Sequence, residues 1–330
     1  MDLNFSELAK ISYLKIQPGD DRVVPLQPCY LENGEWESWI PINDQLLRLR
    51  MVDSAEQLYF GKQPAREGDG YSEFFNLILK RALWKDVSRY AFDILDDVYN
   101  LSSSIEKIDL FHKLWLNKNE SIQSRFISTE LEFIFITCRS LYDLLQKIAK
   151  SICSRVAYLD GSRPKPLRES FAEMALKGGE LKSPEQIASK YGIHEPLAQF
   201  YNRQGDFFIW LRSYRDRINH HGAGFAQVFI TERGFAVSTN QKPFSRVDIW
   251  NESNTQGNDL GSVRTVLSYV MTNTLLAIED FARIIGLTIE LPYDVAPDHY
   301  VFMRGYHVNR LLELGSYLHD HPWSESEISE

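Results

Sequence analysis

The chain has 330 residues, 44% of them hydrophobic and 25% charged, with a formal net charge of −9. That length buries a sizeable core in one large domain or two, and the balance is that of a globular protein rather than a disordered one. The negative charge argues against a general nucleic-acid coat, which works by neutralising phosphates; a local basic cleft remains open, with Arg203, Arg212, Arg215 and Arg217 as its candidates.

Three cysteines, Cys29, Cys138 and Cys153, show no C-x-x-C pairing, so reduced, buried thiols in a cytoplasmic protein are expected. The opening MDLNFSELAK carries acids and has no apolar h-region, so no secretory signal is expected. The most apolar run, residues 263–285, is interrupted by Asn273, Glu279, Asp280 and Arg283, which makes it a buried amphipathic helix rather than a membrane span.

Residues 1–70 read as a β-rich cap or small module, separate from a helical domain over 71–330. Asn33-Gly34, between Cys29-Tyr30-Leu31-Glu32 and the run from Glu35 to Ile40, is a strong hairpin signal. Residues 44–59 suit a short helix or a strand, and 67–70 a loop. From Tyr71 the period becomes helical: Phe74, Phe75, Ile78, Leu79, Ala82 and Leu83, then Phe92, Leu95, Val98 and Tyr99, predict one long helix or two joined ones. Ser102–Ser104 is a candidate cap for a further helix through Leu116.

A long helix is predicted over residues 122–159, with no internal Gly or Pro and with Gly161 and Pro164 to stop it. On it Glu132, Arg139 and Asp143 lie seven and four apart, on one face. They form either a solvated salt-bridge stripe or a face that meets another polar helix. Residues 164–182 are a Pro- and Gly-punctuated insertion with one short helix. Ser183-Pro184 opens another helix to Tyr191, with Ser183 as N-cap and Pro184 at the first helical position.

Pro196 is the expected start of a helix running to His221. Its second half reads GDFFIWLRSYRDRINHHG over residues 205–222, apolar first, then basic, then His-His before a C-cap glycine. At about 100° per residue, Arg212, Asp216 and His220 stack on one stripe and Arg215 and Asn219 on the next. Beyond Gly222, residues 226–239 alternate as a β-hairpin, 246–250 suit a further strand and 251–257 a polar loop. Residues 260–285 return to helix with Gly286 as C-cap, and 288–291 are strand-like. No nucleotide-binding loop, serine-hydrolase elbow or zinc spacing occurs, and His319-x-His321 reads as an incidental pair.

A base or acid (His220), an orienting carboxylate (Asp216) and cationic groups (Arg212, Arg215) are the parts of a phosphoryl-transfer site. The same residues also suit an ordinary helix end, where cations complement the macrodipole. Arg215-Asp216-Arg217-Ile218-Asn219-His220 resembles the signature of HEPN-domain proteins: an Arg, a polar residue directly after it and, further along the helix, a His. The following His221-Gly222 is similar to a habit of that superfamily. The resemblance covers residues 122–222 and the last long helix.

The resemblance implies a mainly α fold, a helical bundle, to which the residue patterns add a β-hairpin insertion around 225–250 after the motif helix and a small β-containing N-terminal region. It further implies a metal-independent endoribonuclease without cofactor, of the kind that serves as a toxin or phage-defence effector, acting as a homodimer on RNA with an antitoxin or defence-system partner. In that reading Arg215, Asp216 and His220 are catalytic. His221, Asn219, Arg212, Glu132, Arg139 and Asp143 support them. The alternative is a non-catalytic HEPN-like RNA-binding or scaffolding module. The dipole and Asp216 favour the cationic form of His220, which suits it to donate a proton.

Overall fold

The computed structural model describes residues 57–118, 123–221, 227–304 and 316–323, together with strands within residues 3–49; side chains are described for 58–117, 125–214, 227–304 and 316–323. The architecture is mainly helical with small antiparallel sheets. Two compact units divide it, Met1–Arg81 with Pro292–Leu312, and Ala82–Leu291 with Glu313–Glu330.

In the first unit the Asn33-Gly34 signal corresponds to a hairpin: Cys29–Glu32 pairs antiparallel with Glu35–Ile42, with Glu32 opposite Glu35. Gln45–Leu49 continues that sheet and Gln57–Gly61 is a further strand, so the described residues of the 44–59 stretch are strand. A second sheet places Tyr300–Arg304 between Gln57–Gly61 and Gly70–Tyr71. The unit therefore passes the expected boundary at 70, includes helix α1 (Glu73–Arg81) and draws in chain from near the C-terminus. Its buried anchor is Arg304, whose Nε donates to Asp69 Oδ1 at 2.6 Å, while the Tyr59 hydroxyl donates to the same carboxylate. Burial pushes the Asp69 pKa up, but Arg304 and Tyr59 outweigh it and hold it below the usual range.

The second unit begins with an antiparallel pair, α2 (Lys85–Lys118) and α3 (Gln123–Cys153). Ser102 and Ser104 do not cap a new helix; they are buried inside α2, which runs unbroken past them. The pairing register is set by Phe111 against Phe126, 5.3 Å between ring centroids, and by Lys107 with Glu130 at 3.3 Å. Buried Ile127, Leu131, Ile134, Cys138, Leu141, Leu145 and Ile148 recur at helical spacing along α3.

α3 ends at Cys153, earlier than the predicted 159, although no Gly or Pro intervenes. The Arg155 guanidinium folds back to donate to the Ser151 carbonyl at 2.8 Å and pairs with Asp86 of α2 at 3.0 Å, capping the helix by side chain. Cys138 and Cys153 are free, buried thiols whose pKa values burial pushes up to about 12, so they are not poised as nucleophiles.

Short helices follow: α4 (Phe171–Ala175), α5 (Pro184–Tyr191) and α6 (Glu195–Arg203). α5 has the expected start, a capping box between Ser183 and Gln186, and stops at Gly192 with φ 60°. The helix predicted from Pro196 to His221 is two helices, α6 and α7 (Gly205–His221). The joint is close-packed: a Cβ on Gly205 would stand 2.1 Å from Leu181 Cδ1.

After α7 the hairpin Val228–Thr231 and Gly234–Ser238 has Thr231 opposite Gly234, and Leu260–Ser262 and Thr255–Gln256 extend it into a four-stranded sheet. The strand expected at 246–250 is absent; Phe244–Arg246 is a 3-10 turn. Buried His112 of α2 donates Nε2–H to the Thr231 carbonyl at 2.9 Å, fixing its tautomer and fastening the hairpin to α2. The last long helix, α8 (Val263–Thr288), passes through Gly286 because Ile284, Ile285 and Thr288 are buried around it. Arg264 of α8 pairs with Asp109 of α2 at 2.8 Å.

One acid works against this packing. Burial, then the neighbouring charges of Asp93 and Asp96, push Asp97 on α2 up to about pKa 6. Its ionised form is therefore penalised above pH 6, and the penalty is relieved as pH falls from about 6 towards the unfolded value near 4. Solvent screening leaves about 1 kcal/mol of it, so Asp97→Asn is expected to raise Tm by roughly 2–4 °C at pH 7.5 and by much less at pH 4.5. Equal shifts at both pH values in thermal melts would remove the charge explanation.

Candidate functional site

The motif string lies at the end of α7, and what positions it is the seam between α7 and α3. Phe207, Phe208, Trp210, Leu211 and Tyr214 of α7 are all buried. Phe135 of α3 stacks on Tyr214 at 4.3 Å and contacts Trp210 at 5.1 Å. About two turns further along α3, Tyr142 meets Phe208 at 5.7 Å, and its hydroxyl donates to Gln204 Oε1 at 3.1 Å. Residue numbers rise on one helix as they fall on the other, so the helices are antiparallel. Aromatic pairs of this kind contribute about 0.5–1.5 kcal/mol each beyond the area they bury.

The backbone of α7 is helical through His221, which makes Arg215, Asp216, Asn219, His220 and His221 helical residues. Their side chains lie outside the described residues. Arg212 is exposed on the preceding turn. Extending the antiparallel register by one turn from the Phe135–Tyr214 contact brings α3 to half-buried Glu132 at the level where the motif begins.

The other two expected supports stand elsewhere. Arg139 lies over the Phe208 ring, 5.7 Å from its centroid, and pairs with Asp143 at 2.7 Å. The second oxygen of Asp143 accepts the backbone N–H of Phe171, 3.1 Å away, at the start of α4. Phe208 precedes His220 by twelve positions, about 18 Å along a helix axis. Glu132, Arg139 and Asp143 share a face as predicted, but Arg139 and Asp143 fasten α4 to α3 at the opposite end of the seam. Arg203, expected in a basic cleft, pairs with Asp280 of α8.

Two polar clusters escaped the sequence reading. Lys182 is buried, its Nζ donating to the carbonyls of Glu173 at 2.7 Å and Met174 at 2.8 Å and to the Tyr191 hydroxyl at 3.2 Å. Burial pushes its pKa down, and its role is to pin the insertion. Asp160, Ser162 and His194 also assemble, but not as a catalytic relay. His194 Nε2 is 3.0 Å from Asp160 and 3.4 Å from Ser162 Oγ, and Ser162 donates directly to Asp160 at 2.6 Å. A nucleophilic triad needs the imidazole between acid and hydroxyl, one nitrogen to each; here one nitrogen serves both.

Among the described residues no group of three His, Cys, Asp or Glu is arranged to hold a metal ion, and no helix is long and apolar enough to cross a membrane. His321 stacks on Tyr317, 4.6 Å between centroids. No protein-family model matches the chain, and comparison with curated proteins and with solved structures yields no match.

The placement of Asp143 makes a structural role testable. Asp143→Ala leaves a half-buried guanidinium and the Phe171 N–H without their acceptor, so urea denaturation should show a loss of about 1–3 kcal/mol. Unchanged stability would mean that the carboxylate does not fasten α4.

Proposed function

We propose that this chain is a metal-independent endoribonuclease that cleaves RNA by attack of a ribose 2′-hydroxyl on the adjacent phosphate. The observation that carries the reading is the HEPN-like string from Arg215 to Gly222, in a sequence whose α7 helix continues to His221. Support comes from the α3–α7 seam, which gives the helix a rigid base while its last turns extend beyond the buried aromatic cluster. A fixed helix end is a suitable carrier for groups that must meet a phosphate in one geometry.

In this mechanism the 2′-oxygen forms a bond to phosphorus as the bond to the 5′-oxygen breaks, leaving a 2′,3′-cyclic phosphate and a 5′-hydroxyl. His220 transfers the proton, and as a donor it protonates the departing 5′-oxygen. Arg215 neutralises the charge that builds on the phosphorane. Asp216 orients the imidazole and holds one tautomer, with Arg212, Asn219 and His221 around it and Glu132 at the same level of α3. Arg139 and Asp143 are not part of this site. A second copy brings two motif helices together, as in HEPN-like enzymes, and RNA is the partner. A toxin or phage-defence role, checked by an antitoxin-like protein, fits an enzyme of this kind in the cytoplasm.

The test is cleavage of a mixed RNA pool with EDTA present. Arg215→Ala and His220→Ala should each lower the rate by about 10²-fold or more with Tm unchanged, and EDTA should have no effect on the wild type. Restoration by magnesium of an EDTA-abolished activity would rule out the metal-independent route. RNA binding without cleavage by the wild type would identify the non-catalytic HEPN-like binding module instead.

A further inference from the structure

α8 is largely an apolar core helix, yet Thr265, Ser268, Tyr269, Thr272 and Asn273 follow one another at spacings of three and one, which places them on one stripe. That stripe floors a cleft of about 650 Å³ in the helical unit, walled by the loop around Trp250 and by residues 316–320. The volume is in the range of small-molecule sites. Thr265 is only 6% exposed and lines the cleft. Hydroxyl and amide side chains along the floor supply polar groups that a ligand in the cleft could reach.

The walls define the ligand's charge. Asp248 and Asp320 line opposite segments of the cleft, and neither pairs with a cation among the described residues. No Lys or Arg is among the lining residues. Such a site repels phosphates and carboxylates and attracts cations. Two aromatic rings complete it. Trp250 Nε1–H donates to the Phe244 carbonyl at 3.1 Å, and the ring lies so close to Gly261 that a Cβ there would stand 2.2 Å from it. Tyr269 is held edge-on against Phe207 and Trp210, each at 5.5 Å. Rings fixed in this way offer faces for cation–π contact without an ordering cost on binding.

We propose that this cleft is a binding site for a small cationic amine of the linear polyamine class. Asp248 and Asp320 take the ammonium groups, Trp250 and Tyr269 flank the chain, and the hydroxyls of Thr265 and Thr272 accept from the remaining N–H groups. The site shares no residue with the RNA-cleaving groups on α7 and stands whether or not the chain cleaves RNA. Through Tyr269 it contacts the buried half of α7.

The experiment is calorimetric titration of the full chain with spermidine, read in parallel by tryptophan fluorescence. Saturable binding with a fluorescence change is expected. Its affinity should fall at least tenfold in Asp248→Asn/Asp320→Asn and in Thr272→Phe, which fills the cleft, both with unaltered Tm in the absence of spermidine. Glu180→Gln/Glu232→Gln removes acids that do not line the cleft and should bind as the wild type does. The proposal is overturned by a lack of saturable binding, by equal weakening in both acid-to-amide pairs, or by tighter binding of uncharged glucose or of adenosine 5′-monophosphate.

Discussion

The antiparallel seam between α3 and α7 is the contact on which the helical unit depends. Phe135, Tyr142, Phe207, Phe208, Trp210 and Tyr214 lock the first half of α7 onto α3. The other contacts build outward from it. Phe171 packs on Phe208 at 4.8 Å and brings the insertion with it, and Tyr269 joins α8 to Phe207 and Trp210. Because the seam uses the apolar half of α7, the polar last turns are carried as a rigid extension of a buried helix. That division of one helix into anchor and working end is the physical basis for the functional reading.

Much of the element order was legible because local chemistry and tertiary packing agree. The Asn33-Gly34 hairpin, the Ser183-Pro184 start of α5 and the alternation around 228–238 are signals whose causes lie within a few residues. The errors have long-range causes. Ser102 and Ser104 look like caps, but burial in α2 overrides their preference for helix starts. Gly286 looks like a stop, yet the apolar residues around it carry α8 through a position that costs about 1 kcal/mol. α3 stops at Cys153 because Arg155 reaches both Ser151 and Asp86, a partner on another helix that spacing cannot reveal. The strand Tyr300–Arg304 completes a sheet begun more than two hundred residues earlier, which no local pattern announces.

For the candidate site, spacing identified which residues share a face and not what that face meets. Glu132, Arg139 and Asp143 are one stripe on α3, but the antiparallel register spreads them along α7, and the Arg139–Asp143 pair is used to hold Phe171. Asp160, Ser162 and His194 contain the right residue types for a relay, and only the distances show one nitrogen serving both partners. The polar stripe of α8 was in plain view at helical spacing, interleaved with apolar residues that read as core. Its signal was a run of polar residues at helical spacing on a helix whose other positions are largely apolar.

In the proposed reaction the ribose 2′-hydroxyl is the nucleophile. The most direct measurement uses two RNA oligonucleotides, identical except for a 2′-deoxy substitution at the mapped cleavage position, incubated with the wild-type chain in EDTA and resolved by mass spectrometry. The expected result is a 2′,3′-cyclic phosphate product from the all-ribose strand and an intact bond at the deoxy position. Cleavage at the deoxy position at an undiminished rate would contradict it, since that bond could then be broken only by water or another external nucleophile.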